Sequence, residues 1–173
     1  KYYGIQRMKS RIRLSHFLLR LGTFIQSLPV VVMKADDLVE FSRQTYSRGQ
    51  NVDAWADDEL VDSGLSSDET GLVSQLPVKT GDLLLLGVGG GREAISFAKM
   101  GFTVTGVDFV DEMAIKAVEN GLSRGVTING VTQEISRLDF PVNSFDVVWI
   151  SRAMYSCIPG RARRVASIKS ISG

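Results

Sequence analysis

An α/β fold, a parallel sheet with helices on both faces, is predicted by three features of the second half of the chain. Apolar runs and helix-patterned runs alternate from Gly81 onward, and that order builds parallel sheets through right-handed crossovers. The apolar runs are short and nearly continuous, as strands buried on both faces are. Gly87, Gly89, Gly90 and Gly91 break the chain directly after the first of these runs.

Ahead of the sheet the chain reads as helical. Ile5, Met8, Ile12, His16 and Leu19 recur at the three-to-four spacing of a helix with one buried stripe. From Phe17 to Ile25 the sequence is apolar nearly all round, which predicts cover by protein or a partner. Pro29 is predicted to interrupt this helix. Ala35 to Tyr46 reads as a second helix, capped by Asp36 or Asp37. Residues 47–70 are polar, acidic and broken by Gly49 and Gly64, a loop with a short helix that leads into another near Glu69 to Gln75. The organisation expected is an N-terminal helical or lid segment over residues 1–70 and a sheet domain over 71–173.

Within that domain Asp82 to Leu86 is the first strand, bounded by glycines, and Arg92 to Met100 the first helix, with Ala94, Ile95, Phe97 and Ala98 on its buried face. Thr103 to Asp108 is the second strand. Asp111 to Arg124 is the second helix, stopped near Gly125. Residues 126–133 form a weaker third strand and Phe145 to Ser151 a clear fourth. Pro159 and Gly160 then introduce a last helix, "RARRVASIKSI".

Composition narrows the function classes. The length of 173 residues suits one domain, and the net charge of +1 leaves no overall field toward nucleic acid or membrane. Residues 1–20 hold six basic side chains and no acid, whereas residues 49–78 hold seven acids and no Lys or Arg. A charged helix face that is solvated, or paired with the acidic segment, is favoured over a peripheral membrane or nucleic-acid element. Arg20, Gln26 and Pro29 interrupt the most apolar stretch, so no stable membrane insertion is expected. The chain begins at Lys1 rather than Met, as a processed or partial chain does, and shows no signal peptide. Cys157 alone excludes an internal disulfide and suits a reducing, cytoplasmic setting. It is read as an inert thiol and His16 as structural, so no metal site and no nucleophile triad is expected.

The chemistry lies in the glycine loop. Glycines between a strand and a helix let the backbone turn sharply and approach a ligand. The helix that follows presents free N–H groups and a positive dipole end. Asp108 ends the second strand 21 residues beyond Gly87. A carboxylate there accepts hydrogen bonds from a ribose diol, each contributing about 1.5–3 kcal/mol. Loop and acid together predict a nucleoside-containing cofactor. A dinucleotide site carries Gly or Ala at the sixth position of its fingerprint, where Arg92 stands here. An NAD(P)-dependent oxidoreductase is therefore disfavoured; it remains an alternative, as does a non-catalytic cofactor-binding or interaction module.

"LLLLGVGGGREAISFAKMGFTVTGVDF" and "QEISRLDFPVNSFDVVWIS" resemble, in order and spacing, the first motif and the later strand motifs of class I S-adenosylmethionine-dependent methyltransferases. The resemblance covers roughly residues 72–171. It implies a Rossmann-like sheet and S-adenosyl-L-methionine as cofactor, held by Gly87, Val88, Gly89, Gly91, Asp108, Phe109, Glu134, Ile135 and Ser151. Glu134 falls where the family carries an Asp near the adenine amino group, and Ile135 where a backbone N–H meets the ring. "GREA" with "GFTVTGVD" is similar to members acting on small molecules, which implies a small-molecule methyl acceptor and no nucleic-acid partner.

Acceptor-side candidates follow the fourth strand, because ligands bind beyond the carboxyl ends of parallel strands. Arg152 is a clamp for an anionic acceptor, against a surface ion pair. Tyr155 is a stacking or hydrogen-bonding group, against a core aromatic. These two are the catalytic-side candidates. Tyr46 and Trp55 are lid candidates, with plain packing favoured for Trp55. Leu85 stands where the family commonly has an acid, two residues before the first glycine. Family members have seven strands, and the fourth is the last in this chain. The later strands of the family fold are absent, which implies a shortened chain, or a homo-oligomer that covers an exposed apolar edge.

Overall fold

Four strands, β1 (Gly81–Leu86), β2 (Phe102–Asp108), β3 (Ile128–Thr132) and β4 (Val147–Ile150), form one sheet in the order β3-β2-β1-β4. The structure, a computed structural model, describes residues 2–151 and 154–172, the side chains of 2–11, 27, 29–31 and 172 excepted. Every pairing is parallel: Leu86 lies opposite Val107 and Ile150, and Asp108 opposite Thr132. Outside the sheet, α1 (Tyr2–Val32), α2 (Ala35–Tyr46), α3 (Gly49–Trp55), α4 (Asp58–Asp62) and α5 (Ser67–Ser74) precede it. Helices α6 (Arg92–Lys99) and α7 (Asp111–Ser123) connect its strands, and α8 (Met154–Cys157) and α9 (Arg161–Ser172) follow. A turn of 3-10 helix, Ile135–Arg137, lies between β3 and β4.

Alternation along β1 explains why helices cover both faces. Successive side chains of a strand point to opposite sides. Leu83 and Leu85 enter one core with Ala94, Ile95 and Phe97 of α6, Ala117 of α7, and Trp149. Leu84 and Leu86 enter the other with Val107, Ile135 and Ile158, against which Ile171 of α9 packs. Phe97 is fully buried and meets Phe102 and Trp149 edge to face at 5.7 and 4.9 Å. The predicted strands and connecting helices all form, with ends shifted by one to two residues.

The chain forms two compact units, Lys1–Leu38 and Val39–Gly173, so residues 39–70 fold with the sheet. Val61 enters the first core and Val52 packs with Val110 and Met113, and charge pairing adds to this burial. Arg124 binds Asp58 at 2.7 Å and Asp62 at 2.5 Å. Arg92 holds Glu69 through two bonds of 2.7 Å and donates to the Gly64 carbonyl at 2.6 Å. A capping box locks the start of α5, Ser66 and Glu69 each accepting from the other's backbone N–H.

The Arg92 guanidinium holds the Glu69 carboxyl down to about 2. A lowered carboxyl pKa stabilises the fold above the ordinary value and loses that contribution as pH falls through the folded one. Stability from this pair is thus complete above about pH 4.5 and lost toward pH 2. Arg92→Met leaves the buried Glu69 charge without its main partner and is expected to cost about 3 kcal/mol at neutral pH. Acid titration of its melting temperature should be flatter than wild type between those two pH values.

In the first unit α1 runs through Pro29 to Val32, against the interruption expected there. The proline sits three residues from the helix end, so its missing N–H forgoes a single backbone bond. Phe17, Leu18, Leu19, Phe24 and Ile25 are exposed on the stretch for which the sequence predicted cover by protein or a partner. Among the described residues no helix is long and apolar enough to cross a membrane, and no cluster of His, Cys, Asp and Glu could hold a metal ion.

Candidate functional site

The carboxyl ends of β2, β1 and β4 lie side by side, and the chain leaves each of them through a residue singled out in the sequence. β1 runs into Gly87, β2 ends on Asp108, and β4 is followed by Ser151. Both Gly87 and Val88 donate their N–H to the Val107 carbonyl, at 2.8 and 3.0 Å, which ties the loop to β2. Gly87, Gly89 and Gly91 have φ of +83°, +50° and +97°, a region that side-chain-bearing residues rarely enter. At Gly91 a Cβ would also press within 3.2 Å of the Ala117 Cα. The loop is therefore small for two reasons, its handedness and the closeness of α7.

Asp108 is 7% exposed and points into this loop. One carboxylate oxygen accepts the Gly89 N–H and the other the Val110 N–H, both at 3.1 Å. Burial pushes its carboxyl above the ordinary value, partly offset by the N–H groups of Gly89, Val110 and Phe109. Each oxygen keeps a further lone pair for a hydroxyl donor. With glycine at four of its five positions, the Val88 side chain buried, and such an acceptor facing it, the loop fits a ribose-bearing ligand.

Helix α7 and elements before the sheet close around the loop. Asn120 of α7 donates to the Gly90 carbonyl at 2.9 Å. A Cβ on Gly89 would lie 4.0 Å from the Trp55 ring, which is itself half-exposed. Phe109 meets Tyr46 edge to face at 6.4 Å, and the Arg43 guanidinium lies 5.7 Å over its ring. Tyr46 and Trp55 thus stand on the rim of the site rather than in the core.

The remaining candidates divide. Val88 contributes backbone only, because its side chain is buried and fills the space a Cβ on Gly106 would need, 2.5 Å away. Ser151 belongs to the loop's surroundings: its Cβ lies 3.4 Å from the place of a Gly87 Cβ, and Met154 of α8 lies 3.1 Å from it. Glu134 follows Gln133, whose N–H bonds the Asp108 carbonyl at 2.9 Å. Its carboxylate accepts from Arg163 of α9 and from the Ser136 hydroxyl. Ile135 turns its side chain into the second core. Tyr155 is exposed on α8, and Arg152 lies outside the described residues.

One buried charge escaped the sequence reading. Glu93, in the first turn of α6, is 4% exposed and accepts from the Ser151 hydroxyl and, at 3.3 Å, from Trp149 Nε1. Burial pushes its carboxyl up, against the Ser151, Arg92 and Trp149 donors; the Glu69 charge adds to the rise. The available signal was an acid among the apolar side chains of a helix face.

Comparison with known proteins agrees with this geometry. The family described as "Methyltransferase domain" matches residues 83–171, just over half of the chain. No curated protein matches it. Among solved structures, a SAM-dependent methyltransferase from Aquifex aeolicus is 19% identical with a TM-score of 0.55, over 69% of this chain and 64% of its own. The CcbJ methyltransferase from Streptomyces caelestis is 26% identical with a TM-score of 0.51, over 63% and 48%. Phosphoethanolamine N-methyltransferase 1 from Haemonchus contortus, in complex with phosphoethanolamine and S-adenosylhomocysteine, is 22% identical with a TM-score of 0.50, over 67% and 25%. The chain therefore spans less than two thirds of the length of the structures it resembles. With the glycine loop, the strand-end acid and the matched residues together, the chain belongs to the methyltransferase-domain family, the class I S-adenosylmethionine-dependent methyltransferases.

Proposed function

We propose that the chain binds S-adenosyl-L-methionine over its glycine loop and passes the methyl group to a small molecule. The observation that carries this reading is Asp108, buried at the end of β2 with one oxygen on the Gly89 N–H of the loop and the other on the Val110 N–H. Gly87, Gly89 and Gly91 would take the backbone side of the cofactor, Asp108 the ribose hydroxyls, Phe109 a flank of the adenine, and the Ile135 backbone N–H the edge of its ring. Glu134 would serve the adenine edge in company with Arg163. Bound there, the cofactor supplies a methyl group already made electrophilic by its sulfonium, so no protein nucleophile is required.

The chain's own work is positioning and exclusion of water. Holding the acceptor in line at about 3–3.5 Å accounts for much of the acceleration in such displacements. Tyr155 and Arg152 follow β4 on the acceptor side and would orient that molecule, Arg152 by pairing with an anionic group. The near-neutral charge supports a small acceptor over nucleic acid, as does the Haemonchus enzyme's complex with phosphoethanolamine. A single cysteine supports a cytoplasmic setting, and the open edge of β4 supports pairing with another strand, a second copy's included.

Incubation with methyl-labelled S-adenosylmethionine and a cell extract tests the acceptor class. Label should appear in the small-molecule fraction; label confined to protein or nucleic acid would refute a small acceptor. Trp55 gives a second check, as one of two tryptophans and the one on the rim. Trp149→Phe should keep a fluorescence change when S-adenosylhomocysteine is added, and Trp55→Phe should lose it.

A further inference from the structure

Asp108, Gly87 and Ser151 lie in a row across the carboxyl edge of β2, β1 and β4. A ribose gripped by Asp108 at one end sends the rest of its molecule over Gly87 toward Ser151. Glu93 stands at that far end, its carboxylate bonded to the Ser151 hydroxyl and to Trp149. Because Ser151 Cβ lies 3.4 Å from the place of a Gly87 Cβ, one hydroxyl separates the carboxylate from the first glycine. A carboxylate removed from water is costly unless a cation meets it. The nearby guanidinium of Arg92, 3.3 Å away, is already committed to Glu69 and to the Gly64 carbonyl. Leu85 of β1, opposite Trp149 in register and fully buried, brings no charge to this end of the row.

We propose that Glu93 selects for a cofactor with an ammonium group, its carboxylate receiving the amino end of the S-adenosylmethionine tail beside Gly87 and Ser151. The inference rests on the reading of the loop as an S-adenosylmethionine site. An ammonium group brings three N–H donors, matched by an acceptor that the fold holds out of water. The tail's own carboxylate would meet the N–H groups of the first turn of α6. Glu93 sets position and specificity and does not touch the transferred methyl.

Calorimetry on the full chain tests this, with S-adenosylhomocysteine and its analogue lacking the amino group as probes. Glu93→Gln keeps both neighbours, since its amide oxygen accepts from Trp149 and its NH2 donates to Ser151. Wild type should prefer the amino-bearing compound about 10- to 100-fold, the worth of a charge-assisted bond. Glu93→Gln should bind the two compounds alike. A preference that survives in Glu93→Gln, or none in wild type, overturns the assignment. Failure of wild type to bind either compound overturns the S-adenosylmethionine reading itself. Should Glu93→Gln fail to fold, Glu93→Asp draws the charge back by one methylene. A reduced preference is expected there, and an unchanged one refutes the proposal.

Discussion

Asp108→Asn is expected to weaken S-adenosylhomocysteine binding by roughly 30- to 150-fold, about 2–3 kcal/mol. The wild-type carboxylate accepts the Gly89 and Val110 N–H groups, one on each oxygen. An amide has only one acceptor oxygen, so its NH2 must face one of those donors, and the loop shifts to relieve the clash. The ribose hydroxyls then lose a charged acceptor as well. Stability should respond less than affinity, because burial already disfavours the charge at this position. The same burial gives binding an acid limb. Affinity should fall as pH drops through a carboxyl pKa above the ordinary 3.8, and calorimetry across that range would show it.

Gly90→Ala is expected to cost about 2–3 kcal/mol and to abolish binding, the cost of overpacking against atoms that cannot move aside. A Cβ at Gly90 would overlap the Trp55 carbonyl oxygen and lie 2.7 Å from its carbon and 2.8 Å from the Ala56 Cα. All three are backbone atoms where α3 ends, so relief requires the whole rim to leave the loop. Gly71→Ala is the control. It sits within α5 with nothing within 4 Å of an added Cβ, and should stabilise by about 0.5–1 kcal/mol. Thermal melts of the two variants should move in opposite directions.

How far these outcomes were legible from sequence differs by element. The strands, α6 and α7 were legible because buried strands and one-sided helices leave a local pattern. The glycine loop and Asp108 were legible for the same reason, both ends of the motif lying within 21 residues. Residues 39–70 were not, since their place is set by Val61 and Val52 packing on distant elements and by the ion pairs of Arg92 with Glu69 and of Arg124 with Asp58 and Asp62. Those partners lie 23 to 66 residues apart, and no local periodicity announces them. Glu93 was hidden by its neighbourhood, an acid in "GREA" that reads as an ordinary first-turn helix residue until Trp149 and Ser151 are seen above it. Pro29 shows the opposite error, a local rule overridden because the break fell where the helix was about to end.

A crystal structure of the full chain with S-adenosylhomocysteine bears most directly on the central claim. The nucleoside is expected over Gly89, both ribose hydroxyls about 2.5–3.0 Å from the Asp108 carboxylate oxygens, and the amino-acid tail lying across Gly87. Density for the compound anywhere else, or a ribose turned away from Asp108, would contradict it.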